Sequence, residues 1–301
     1  MQRITTNAYR QDTFWRYLIT GCGILLIVLT LAIGIFLFYK GMGTFTTYGH
    51  SLSEFLFSSQ WAPSDDVNGG GKIGAAIYIF GSISTCALAL LIATPFSLAT
   101  AIFMTEISPR LGKRFVQPAV EIFVGIPSVV YGWIGLTILV PFIKNLFDLR
   151  FGFSVLAAGI VLAIMIFPTI TSLTADALRS IPKSFCAAAY GLGATRWQSI
   201  STVVVPAAKN GIMTAVILGL ARAFGEALAV AMVIGKTRAF PSSILEPTNN
   251  LTAAIAADMG GAMEGSEYNI ALWTMALLLF LISLGFIFLI HHINAKGEKA
   301  A

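Results

Sequence analysis

Six apolar stretches, near residues 17–39, 74–104, 117–141, 153–175, 210–235 and 269–292, decide what this chain can fold into. Each is long enough to cross a hydrocarbon core of about 30 Å as a helix. The reading is an all-α membrane protein with six transmembrane helices. Composition agrees, with 56% of the 301 residues hydrophobic and 11% charged, where a soluble domain carries roughly a quarter. The net charge of +5 therefore implies no nucleic-acid partner, because membrane proteins collect Lys and Arg on cytoplasmic loops.

The first stretch follows Arg3, Arg10 and Arg16, as a signal peptide would, but its apolar run is too long and no small-residue cleavage site follows. It reads as a retained anchor. The second contains Pro95, which predicts a kink or a broken helix. With the N-terminus inside, Arg3, Arg10, Arg16, Arg110, Lys113, Arg114, Arg179, Lys183, Arg196, Lys209, Lys296 and Lys299 fall on the cytoplasmic side. Lys40, Lys72, Lys144, Arg150, Lys236 and Arg238 fall outside, so the bias places both termini in the cytoplasm. Of the two long outer segments, 40–73 predicts a small interfacial structure with a flexible Gly tip, and 236–268 a re-entrant or short surface helix. Cys22, Cys86 and Cys186 form neither a disulfide framework nor a metal site.

The stretch "LARAFGEALAVAMVIG" (220–235) carries two charges inside an apolar span. Each charge at a span centre costs on the order of 3 kcal/mol on insertion scales. Arg222 lies midway between Lys209 and Lys236, hence near the membrane midplane, and Glu226, four residues on, is expected on the same helix face. That face must look into protein or a water-filled path. The planar fork of Arg donates two parallel hydrogen bonds to an oxyanion, and Glu can accept from a hydroxyl. The plainer reading is a packing ion pair, within the chain or with a partner.

The longest inner loop, "LRSIPKSFCAAAYGLGATRWQSISTVVVPAAKNGI" (178–212), predicts two short helices interrupted at Gly191 and Gly193, the second ending at Pro206. Such a knob suits helix-in-groove docking on a soluble partner; an ordinary surface loop between spans would carry the same pattern.

Here the residues carry a resemblance. "AAAYGLGATRWQSISTVVVPAA" resembles the cytoplasmic loop of permease subunits of binding-protein-dependent ABC importers. Ala188, Ala189, Gly193 and Pro206 match its pattern, while Ala187 stands where the family usually has Glu. "FLFSSQWAP", "AIFMTEISP", "VEIFVGIPSVVYGWIGL", "RAFGEALAVAMVIG" and "LTAAIAADMGGAMEGSEYNIALW" resemble the phosphate-specific importer permeases, nearer the C-type than the A-type subunit.

That resemblance implies a multi-pass bacterial inner-membrane protein with the type I importer permease (MetI-like) fold. It implies a permease domain at 17–292 (core about 74–292, coupling loop 178–208) between cytoplasmic segments 1–16 and 293–301. Implied partners are a homologous permease, two ATP-binding subunits and an extracytoplasmic phosphate-binding protein. No cofactor is expected in this chain; ATP and Mg belong to the ATPase.

Other patterns are weaker. "VIGKT" (233–237) lacks the Gly a phosphate-binding loop needs, with Val230 in its place, and "GGGK" (69–72) fails similarly. His50, His291 and His292 have no spaced ligands, and Glu121 reads as structural, with a pathway-lining role as the alternative. Pro127 and Pro168 predict helix breaks, and Gly125 and Gly132 close helix approach. An intramembrane enzyme using Glu226 as base is disfavoured, since no partner group converges on it. Import of sulfate or molybdate, and a phosphate-sensing membrane scaffold, compete with phosphate import as functions for such a chain.

Overall fold

The computed structural model describes residues 3–298, and side chains from 13 to 293. Lys299 and the extreme ends of both terminal segments lie outside the described residues, as do the side chains of Arg3, Arg10 and Lys296. The chain begins with α1 (Arg3–Gly41), α2 (Gly43–Thr46) and α3 (Leu52–Phe57), then an antiparallel ribbon of β1 (Trp61–Ala62) and β2 (Lys72–Ile73). Next come α4 (Ala76–Ile102), α5 (Pro109–Leu111), α6 (Gln117–Gly125), α7 (Ser128–Ile134), α8 (Val140–Leu146) and α9 (Val155–Arg179). The loop region holds α10 (Lys183–Gly191), α11 (Arg196–Ser199) and α12 (Val205–Ala207). The rest is α13 (Lys209–Gly225), α14 (Leu228–Val233), α15 (Leu251–Asp258) and α16 (Glu267–Glu298).

Four stretches widen to π-helix: Phe103–Ile107, Gly112–Val116, Gly135–Leu139 and Ile200–Val204. Each ends two residues before a proline, namely Pro109, Pro118, Pro141 and Pro206. Proline has no N–H for the carbonyl one turn back and its ring crowds that carbonyl; a wider turn relieves both. Pro95 and Pro168 behave otherwise. α4 and α9 run through them as continuous helix, so the break expected at Pro168 is absent and Pro95 does not break α4.

Among the described residues, five helical stretches are long and apolar enough to cross a membrane: Thr13–Thr46, Ala76–Ile107, Ser128–Leu146, Val155–Arg179 and Glu267–Ile293. A sixth is reached if Arg196–Ala207 and Lys209–Gly225, bent by 67° from each other, form one span. Two boundaries differ from the sequence reading. The run 117–141 divides at Ile126 and Pro127, the break that Pro127 predicts, which leaves α6 separate from the span Ser128–Leu146. The run 210–235 divides after Gly225 into α13 and α14.

The centre is built from small residues. Ala89 and Ala93 of α4, Ala157, Ala158 and Leu162 of α9, and Ala215 of α13 share one buried cluster. In lipid, helices gain nothing from hiding apolar surface from water, so close van der Waals contact between small residues holds them together. α1 sits apart with its apolar side chains exposed, touching α16 where the Phe36 ring meets Trp273 edge-on at 5.3 Å. At one end of α4, Phe55, Trp61, Ile73, Tyr78, Leu251 and Leu272 join α3, the ribbon, α15 and α16. At the other end, Ala101, Ile102, Leu178, Ile200, Val204 and Ala208 seat the loop helices on α4 and α9.

Candidate functional site

Arg222 lies in the last turn of α13, half-buried, and its Nη1 donates to Thr169 Oγ1 at 2.6 Å. Thr169 follows Pro168 in α9. Its neighbour Thr171 turns its hydroxyl back onto the Phe167 carbonyl, the usual habit of a helical threonine, whereas Thr169 points its oxygen at the guanidinium.

Glu226 is not on the same helix face as Arg222. The helix ends at Gly225, and Glu226 is extended at φ −78°, ψ 120°. Glu226 and Ala227 are the non-helical residues between α13 and α14, and the Glu226 side chain reaches the second of these helices. Oε1 accepts from the Ala229 N–H at 3.3 Å, serving the open N-terminus of α14, and the Glu226 carbonyl accepts from Thr252 Oγ1 of α15 at 2.8 Å. Among the described residues, no Arg222–Glu226 ion pair forms within 4.0 Å. Among the described residues the guanidinium thus has one neutral partner, which leaves four of its N–H groups without one.

The third span is interrupted beside this region. Tyr131 on α7 donates its hydroxyl to the Phe123 carbonyl at 2.7 Å, which staples the end of α6 across the Ile126–Pro127 break. α7 and α14 then meet at Gly132, where a Cβ would come within 2.8 Å of both the Ala229 Cα and the Met232 sulfur. Only glycine permits this approach. Gly125 is exposed and, among the described residues, has nothing within 4 Å of its Cβ position, so it makes no close approach within the chain. Glu121 is exposed and accepts from Gln117 Nε2 at 2.9 Å.

The loop forms two short helices about a glycine turn, with one adjustment. Gly191 is the last residue of α10, not an interruption; the turn is made at Gly193, with φ +83°. Ala194 N donates to the Ala189 carbonyl at 3.0 Å, closing the helix end. Ala189 is buried, whereas Ala187 and Ala188 are exposed. Pro206 lies exposed in α12, just past the π turn. Leu192 at 91% and Trp197 at 63% stand out into solvent, so the loop presents apolar side chains while its underside is seated.

At the ribbon end, Glu267 is buried and accepts from Ser64 N and Gly71 N, both at 2.8 Å. His50 Nε2 lies 2.6 Å from its Oε1, and His50 Nδ1 lies 3.1 Å from Glu54. The segment 236–268 supplies α15, which packs into the cluster of Phe55, Trp61, Ile73 and Tyr78. Thr169, Thr252, Tyr131 and the His50–Glu267 pair escape a reading of the sequence, because their partners stand 53, 26, 8 and 217 residues away. Only Tyr131, near the Pro127 break, lies close enough in sequence to have been sought.

Comparison with known proteins is decisive at the level of family. Residues 93–298 match the model of the binding-protein-dependent transport system inner membrane component. The chain is 50% identical over 292 residues to the "Probable ABC transporter permease protein YqgH" of Bacillus subtilis (strain 168), covering 97% of this chain and 94% of that one. It is 35% identical to the phosphate transport system permease protein PstC of Mesorhizobium japonicum (90% and 86% covered). It is 36% identical to that of Haemophilus influenzae (86% and 85% covered). The fold resembles that of an alginate ABC importer, with a TM-score of 0.57 at 16% identity over 99% of both chains. It also resembles that of the inward-facing MetNI methionine transporter, with 0.55 at 20% identity over 73% of this chain and 96% of that one. The chain belongs to the family of inner-membrane permease components of binding-protein-dependent ABC importers.

Proposed function

We propose that this permease conducts inorganic phosphate along a path it forms with a homologous permease, driven by ATP hydrolysis on two separate subunits. An extracytoplasmic phosphate-binding protein delivers the substrate, and ATP and Mg are held by the ATPase. The observation that carries the reading is the Arg222 guanidinium, half-buried against a neutral hydroxyl, with no carboxylate of the described residues within 4.0 Å. A cation so placed is poorly compensated, and an arriving oxyanion supplies the missing charge and bidentate acceptors. A charge kept only for packing would be paired.

Glu226 gives the selectivity. Its Oε1 is engaged by the Ala229 N–H, which leaves Oε2 to accept from a phosphate hydroxyl. Sulfate has no such hydroxyl at neutral pH and would leave this half-buried acceptor unpaired. The PstC relatives at 35–36% identity favour phosphate on independent grounds. The loop between Lys183 and Pro206 docks on the ATPase through exposed Leu192 and Trp197, with Gly193 shaping the turn.

The test is a charge swap. If Arg222 is a transient ligand, Arg222→Glu combined with Glu226→Arg abolishes uptake by the reconstituted importer. Restored phosphate uptake in the swapped protein would show a packing pair and sink the reading. Arg222→Lys, which keeps charge and loses the fork, should lower uptake sharply.

A further inference from the structure

Arg196 opens α11, and its guanidinium reaches out of the loop. Nη2 donates to the carbonyls of Glu106 and Ile107, the latter at 2.7 Å. Those carbonyls close the π turn that continues α4. They are the last of that helical run, at the negative end of its dipole, and a planar guanidinium suits holding two together. The start of α11 is itself fixed. The Thr195 hydroxyl accepts from Gln198 N, and Gln198 Oε1 accepts from Thr195 N at 2.8 Å, a reciprocal cap. Among the described residues Arg196 has no carboxylate within 4.0 Å, so ion pairing does not explain where it points.

A second polar contact lies further along α4. Ser97 is fully buried and donates to the Phe167 carbonyl of α9 at 3.1 Å. Two residues beyond Phe167 stands Thr169, which holds Arg222. A run of directed contacts therefore leads from the loop, through α4 and the Pro168 region of α9, to the guanidinium of the site. The rest of the α4–α9 contact is alanine and aliphatic packing, which can slide. Hydrogen bonds with fixed geometry resist sliding.

We propose that Arg196 is a positioning residue that ties the ATPase-docking loop to α4, so that movement of the loop reaches Arg222 through Ser97 and Phe167–Thr169. The proposal rests on the reading of α10–α12 as the docking element and Arg222 as the anion ligand. It assigns Arg196 no contact with substrate or nucleotide.

The experiment uses the complete importer reconstituted in lipid. Nitroxide labels at Phe96 on α4 and Trp133 on α7, both exposed, report their separation by pulsed electron paramagnetic resonance, with and without non-hydrolysable ATP analogue. In the parent the distance distribution should shift on nucleotide binding. Arg196→Ala should abolish the shift and lower uptake about tenfold, within the range expected for one link of a coupling network. Its ATPase should still co-purify, since Leu192 and Trp197 are untouched. Arg196→Lys, keeping the charge and one bond, should recover part of both readouts, and Ser97→Ala should keep the shift yet lower uptake. A parent-like shift and uptake in Arg196→Ala would overturn the proposal, as would a parent with no shift, or loss of the ATPase from Arg196→Ala. Uptake of radiolabelled phosphate by the parent judges the anion reading separately. An Arg196-dependent shift without phosphate flux would retain the coupling role and remove phosphate.

Discussion

Replacing Gly193 tests whether the loop turn matters through backbone geometry or through side-chain contact. Its φ is +83°, and an added Cβ would meet nothing within 4 Å. The cost of a side chain is therefore conformational strain alone. Alanine in the left-handed region costs about 1 kcal/mol, which is roughly a fivefold loss of correctly turned loop. Valine, branched at Cβ, should reach about 2 kcal/mol and a loss of roughly thirtyfold. Asparagine tolerates this region and should stay near the parent. Gly193→Asp has similar backbone tolerance to asparagine, so any extra loss isolates the added charge. Hydrogen exchange at the amides of residues 194–199, with ATPase capture by the purified permease, gives the order Asn, Ala, Val. Equal damage by Asn and Val, or parent-like behaviour of Val, would refute the strain argument.

Two further outcomes follow. Burial by itself would push the His50 imidazole down, but its hydrogen bonds to Glu267 and Glu54 outweigh this and hold its pKa above the ordinary value. The resulting stability is fully present below about pH 6.5 and is lost as pH rises through the raised value. Melting of the detergent-solubilised protein should fall with rising pH across that window, and His50→Gln should flatten the dependence; an unchanged slope in the variant would contradict it. For topology, reporters fused after Gly70 or Glu264 should lie outside and those after Arg114 or Trp197 inside, and a cytoplasmic signal at 264 would break the six-span scheme.

The membrane character and the loop were legible in the sequence for physical reasons. Long apolar runs have few folds open to them, and a glycine between helix-forming residues marks a left-handed turn. Pro127 marked the first break in advance, whereas the one at Glu226 was not legible to hydropathy because it lies within an apolar run. The second break is held by Thr252 of α15, a tertiary contact 26 residues away. Spacing of four residues between Arg222 and Glu226 implied a shared face only while the helix continued. Thr169 likewise gains its role from the packing of α9 on α13. The prolines were informative in another way, since four of them set the positions of π turns while Pro95 and Pro168 left their helices intact.

Competition between oxyanions at a single residue gives the most direct test of the phosphate assignment. The complete importer, reconstituted with its ATPase and binding protein, would be supplied with radiolabelled phosphate against a range of sulfate concentrations, for the parent and for Glu226→Gln. The account predicts ATP-dependent phosphate uptake by the parent that sulfate barely inhibits. Glu226→Gln, which replaces the acceptor oxygen by an amide donor, should take up less phosphate and be inhibited by sulfate at lower concentration. Uptake of sulfate or molybdate in preference to phosphate by the parent, or a Glu226→Gln variant with undiminished phosphate flux and selectivity, would contradict it.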